Sequence, residues 1–238
     1  LQLTRQMDSV DTVVSYGLFL ARLKLTQRDA AAATAILGEA EAFVREHHFV
    51  HQLQAVAAVQ VLTLLQQGKL TAAAHLAQTH NIPISQARVA LAHGDPSAAL
   101  ALLDPLRQRM EEKGWQDERL KVMVLQAVAH SMHGEKEAAV QILGDSLALA
   151  ESGGILRVFI DEGLPMAALL FEAAAHGMMP DYIASLLAAF EAEGRTSESK
   201  PYLPAAQSLL EPLSQRELEV LRLIAEGFSN QEISQQLF

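Results

Sequence analysis

The stretch VLTLLQQGKLTAAAHLA (61–77) decides the fold. Gly68, followed by the charged Lys69, marks a turn between two helical runs. Val61 stands seven residues before that marker, Ala73 five after it and Ala77 nine after it. The same register recurs around Gly94, Gly134 and, without a glycine, Arg28. Seven before the marker come Ala21, Ala87 and Ala127; five after it come Ala33, Ala99 and Ala139; nine after it come Leu37, Leu103 and Leu143. Gln60, Gln86 and Gln126 stand eight residues before three of the markers, where an amide can bridge neighbouring helices. Small residues at a crossing, with larger apolar ones a turn away, are what stacked helical hairpins require.

Working outward, this register predicts helix pairs at 11–26 with 30–46, 50–66 with 70–79, 84–93 with 96–112, and 117–132 with 135–151. The markers lie 40, 26 and 40 residues apart (28, 68, 94, 134), so the array is irregular, with a short connection near Asn81–Pro83. Composition agrees: Ala and Leu dominate and only 5% of residues are aromatic, which favours helix over strand. With 238 residues, half of them hydrophobic, the chain can bury a proper core.

These pairs look like tetratricopeptide-type repeats. The resemblance implies a superhelix over 1–152 in which the first helix of each hairpin lines a concave binding groove. Residues six before each marker then face that groove: Arg22, Leu62, Arg88 and Val128, with Leu18, Ile84 and Val124 as apolar neighbours. Guanidinium groups in an apolar groove suit an anionic or hydroxyl-rich ligand, or an acidic peptide. Solvated, partly packed arginines are the alternative reading. Arg107, on a second helix, is expected outside.

The last 28 residues read EPLSQRELEVLRLIAEGFSNQEISQQLF (211–238). Ser214 with Glu217, and Ser229 with Glu232, are capping boxes that open two short helices separated by Gly227. The string resembles the start of the LuxR-type C-terminal DNA-binding domain, departing only at Ser234, where Ala is usual. In that family the base-reading helix comes next, so 213–238 is expected to be the first half of a helix-turn-helix with no DNA-reading residue of its own. Its two Arg and five Glu give a charge of −3, whereas a phosphate-binding surface is basic.

Between these parts, GGILRVFIDEGLPMAALL (153–170) and YIASLLAAF (182–190) are similar to the junction segment of MalT-like regulators, large LuxR-type activators. Junction helices are expected at Arg157–Glu162, Met166–His176 and Asp181–Glu191, making 153–191 one segment. EAEGRTSESKPYLP (191–204), rich in polar residues, reads as linker, with the boundary region at 192–212. The resemblance implies an ATPase module upstream of Leu1, and the start without Met suits an excised fragment. ATP is therefore expected in the parent protein and no cofactor here.

Catalytic patterns are missing. There is no phosphate loop, dinucleotide fingerprint or nucleophile elbow, so a non-enzyme is expected. His47 with His51, and His130 with His133, share helix faces, but no Cys exists to complete a metal set. Adjacent carboxylates Asp161 and Glu162 point apart on a helix and are expected to cap or contact a neighbouring helix rather than do acid–base work. A charge of −10 argues against nucleic acid or an anionic membrane as direct partner; no apolar run is long enough to span a bilayer, and the absence of Cys fits a cytoplasmic protein. The resemblance implies the effector- or partner-binding sensor of a bacterial ATP-dependent LuxR-family activator, reaching DNA only through the missing part of its terminal domain. The alternative is a tetratricopeptide-type scaffold that binds protein without sensing a small molecule.

Overall fold

The computed structural model describes residues 10–195, all in the first of two units, Leu1–Glu198 and Ser199–Phe238. The expected helix-turn-helix of 213–238, and the linker beyond residue 195, lie outside the described residues. Those described form eleven α-helices, one 3-10 turn at Val50–Gln52 and no strand. Four hairpins come first: α1 Val10–Thr26 with α2 Ala30–Glu46, α3 Leu53–Gln66 with α4 Leu70–Thr79, α5 Pro83–Ala92 with α6 Pro96–Lys113, and α7 Gln116–His133 with α8 Lys136–Glu151. Three helices follow: α9 Arg157–Ile160, α10 Leu164–Ala175 and α11 Pro180–Arg195.

One device ends each of the first eight helices. Arg28, His48, Gly68, Asn81, Gly94, Gly114, Gly134 and Gly154 all adopt positive φ. At each, the N–H of that residue bonds the carbonyl three residues back, and the next N–H bonds the carbonyl five before it, as in Gly68 to Leu65 (3.0 Å) and Lys69 to Leu64 (2.9 Å). This paired closure satisfies carbonyls that the helix end leaves free and reverses the chain at once. Successive stops are 20, 20, 13, 13, 20, 20 and 20 residues apart. The irregular spacing in the sequence is thus α4 and α5 each shortened by the same seven residues. Seven residues are about two helical turns, so the buried faces stay in phase across the two short helices.

The register sets the packing. Ala21, Val61, Ala87 and Ala127 on the first helices, and Ala33, Ala73, Ala99 and Ala139 on the second, are all 0% exposed. Between hairpins, each glutamine reaches the second helix of the preceding pair: Gln60 Nε2 to Glu41 at 2.9 Å, Gln86 Nε2 to the Ala77 carbonyl at 3.1 Å, and Gln126 Nε2 to Asp104 at 2.7 Å. The first of these, with Arg45, holds the Glu41 carboxyl below its ordinary pKa. Helices α1, α3, α5 and α7 also touch one another in succession, whereas α2, α4, α6 and α8 do so far less. The stack therefore curves with the first helices inside.

Helices α9 to α11 close the far end. Phe159, Met166, Leu169, Leu170, Ile183 and Leu186 join α7 and α8 in one apolar cluster, and the Tyr182 hydroxyl donates to the Ile155 carbonyl at 2.6 Å. A terminal repeat would otherwise leave its apolar face in water. Among these three helices, three boundaries lie two or more residues from those the sequence predicts. Helix α9 stops at Ile160, leaving Asp161 and Glu162 in a turn. Helix α10 starts at Leu164 because Pro165 fits a first turn, where no N–H is needed. Helix α11 runs to Arg195, four residues past its expected end at Glu191, with Glu193 held by Arg157.

Arg28 carries the left-handed backbone that glycine carries at three equivalent turns. Arg28→Gly should raise the unfolding free energy by about 0.5–1 kcal/mol, strain relief outweighing the freer unfolded chain. Urea denaturation measures this, and a loss of stability would show that the Arg28 side chain makes contacts worth more than the strain.

Candidate binding groove

The four residues expected to face the groove sit on the four inner helices: Arg22 on α1, Leu62 on α3, Arg88 on α5 and Val128 on α7. Their environments differ. Arg88 is largely enclosed, its side chain 16% exposed, and it meets Glu162, itself 7% exposed. Its Nε lies 3.1 and 3.2 Å from the two carboxylate oxygens, and one terminal nitrogen lies 2.5 Å from Oε1. This side-on arrangement is the strong, orienting form of the arginine–carboxylate pair. Burial works against the Arg88 charge, but Glu162, and then Asp161 and Glu118, outweigh it and hold the guanidinium above its ordinary pKa.

Arg22 faces Asp161, one residue earlier, at 3.6 Å, and its side chain is half exposed. Asp161 also pairs with Arg157, one helical turn back, and Arg157 pairs with Glu193 on α11. The two inner-face arginines, which come from alternate hairpins, thus converge on two consecutive carboxylates of the turn after α9. Asp161 and Glu162 thus contact other helices, as their sequence position leads one to expect. That position does not connect them with Arg22 and Arg88, because 139 and 74 residues separate the pairs and only the return of the chain beside α7 brings them together.

Val128 does not line an open groove. It is 3% exposed and lies in the same cluster as Phe159 and Ile160 of α9, a helix packed against α7. Val124 is likewise fully buried there. Leu62 stays half-buried on α3. Arg107 is not an outward, unengaged side chain either: it is partly buried and donates to Gln126 across the α6–α7 contact at 3.4 Å. The inner face is therefore covered by the protein's own chain at α5 and α7.

Gly163 sets how the acidic turn is aimed. Its backbone, φ 69° and ψ −150°, lies in a region open essentially to glycine alone, and it starts α10 directly after Glu162. Elsewhere the polar clusters have local explanations. His130 and His133 each place Nδ1 against Glu135, at 2.5 and 3.1 Å, and these hydrogen bonds keep that carboxyl below its usual pKa. His47 donates to the Phe43 carbonyl at 2.9 Å, and His51 lies 3.6 Å from Asp11. Among the described residues no three His, Asp or Glu side chains converge as a metal site. A shallow depression of about 530 Å³ among α4, α5 and α6 is lined by Gln86, Val89 and Leu102 and by neither arginine. No Asp, Glu, Lys or Arg lines it, so the arginine pair is the better recognition site.

Residues 1–176 match the family described as the MalT-like TPR region, and residues 211–238 match that of the bacterial regulatory proteins of the luxR family. No curated protein and no solved structure matches the chain. Among the described residues no helix is long and apolar enough to cross a membrane.

The two arginines should differ sharply on truncation. Arg88→Ala leaves Glu162 enclosed without a partner and should cost about 3–5 kcal/mol of folding stability. Arg22→Ala, at an exposed pair, should cost about 1 kcal/mol or less. Chemical denaturation of both variants reads the difference, and equal small losses would show that the Arg88–Glu162 pair is not formed in solution.

Proposed function

The chain belongs to the MalT-like TPR family, and from this premise we propose that it is the signal-binding region of a LuxR-type transcription regulator, recognising its effector or protein partner on the inner face at Arg22 and Arg88. The observation that carries the proposal is the register. Two guanidinium groups on alternate first helices point to one place, and that place is also touched by the segment leading toward residues 211–238, whose match ties the chain to regulatory DNA binding. A ligand bound there changes how α9 to α11 are held, and through them how the C-terminal segment is presented. Both matched families are regulatory. That this chain catalyses nothing itself, that its parent uses ATP in a separate module, and that it works in the cytoplasm are parts of the same proposal.

Calorimetric titration of the full chain with carboxylate- and phosphate-bearing metabolites, and with acidic peptides, tests the reading. Saturable binding should weaken roughly ten- to a hundredfold in Arg22→Ala and Arg88→Lys, each losing one charge-assisted hydrogen bond or its geometry. Arg109→Ala is the control, since Arg109 is exposed and engages only the Pro105 carbonyl of its own helix. Equal affinity in all three variants would put the site elsewhere. Binding of protein alone, with no response to any metabolite, would replace the sensor by a scaffold.

A further inference from the structure

We infer that the turn Asp161–Glu162 is a built-in pseudo-ligand, and that the site at Arg22 and Arg88 is made for a partner segment carrying two adjacent carboxylates, which binds by displacing it. The inference rests on the groove reading above and names what the groove takes. Four observations support it. Both arginines are satisfied by neighbouring residues of one backbone, so the spacing they read is that of consecutive acidic residues in a peptide. The occupant lies on the inner face of a helical-repeat stack, the surface on which such folds bind extended partners.

The occupant is also built to leave. Asp161 and Glu162 form a turn with no helix of their own, ended by Gly163. Rotation about their side-chain bonds can carry the two carboxylates away while the backbone hydrogen bonds of the turn, Asp161 to Arg157, Glu162 to Phe159 and Gly163 to Ile160, stay closed. The outer pair, Arg22 with Asp161, is half exposed at 3.6 Å and gives an incoming carboxylate its first foothold. Arg88, enclosed beside Glu162, then exchanges one carboxylate for another without being left unpaired. Lastly, Phe19 lies one helical turn before Arg22 and is 63% exposed, so an apolar residue preceding the partner's acids has a surface to meet. A basic or neutral segment would gain nothing from the exchange.

The test uses the full chain and a fluorescein-labelled peptide GFDEG, with GFNQG as its neutral counterpart, read by fluorescence anisotropy. Wild-type protein should bind GFDEG weakly, because its own turn competes. Asp161→Asn/Glu162→Gln should bind it about tenfold or more tightly, since apparent affinity follows the fraction of chains whose site is open. GFNQG should not bind, and adding Arg88→Lys to the double variant should abolish the gain. Should the double variant unfold, Asp161→Asn alone keeps the question open to decision, with an expected gain of about threefold or more from the weaker outer pair. Equal affinity for GFDEG in wild type and variants, or equal binding of GFNQG, overturns the inference. If the opened variant gains affinity for a carboxylate metabolite but not for the peptide, the pseudo-ligand inference fails while the groove reading survives.

Discussion

Because every helix from α1 to α8 ends on a residue of positive φ, with two hydrogen bonds closing the last turn, the chain reverses within a few residues at each of eight places. Everything else in the stack follows from that constraint. Tight reversals force antiparallel neighbours, and antiparallel neighbours at close range require alanine at the crossings. Fixed intervals between stops then keep those alanines in register from hairpin to hairpin. The two short helices show how strict the rule is: α4 and α5, at the junction of hairpins two and three, lose the same two turns, so no face rotates out of the core.

A stack built this way has an inner row of helices and an end that must be covered. The cover, α9 to α11, contributes apolar residues to the last hairpin, and its turn sends Asp161 and Glu162 across to α1 and α5. An enclosed ion pair of this kind adds little net stability over an apolar pair of the same size, because both charges lose water. What it adds is position: it ties hairpins one and three to the segment leading to the C-terminal region. Arg157, shared by Asp161 and Glu193, extends the tie to α11. A ligand that competes for the arginines therefore acts on this connection rather than on the core.

The stack was legible in the sequence because its determinants are local. Glycine or charge at a turn, alanine five residues on and glutamine eight residues back all lie within one hairpin, and they place eight helix ends to within three residues. Even Arg28 was readable as a turn without its glycine. The groove was only half legible. Register placed Arg22 and Arg88 on inner helices, but the same register placed Val128 in open space, whereas it is buried in the cluster that α9 and α10 complete. Covering of one element by another far along the chain leaves no periodic signal. Asp161 and Glu162 look like an ordinary acidic helix end until the fold brings them to the arginines, and helix propensity alone did not reveal that α9 stops before them.

Arg88 and Glu162 form a specific, energetically coupled link between the hairpin stack and the junction. A double-mutant cycle with Arg88→Ala and Glu162→Ala, each variant followed by urea denaturation, measures that coupling directly. A specific link gives a coupling energy of at least about 1 kcal/mol, the double variant losing clearly less stability than the two single losses together. Additivity within about 0.3–0.5 kcal/mol would contradict it.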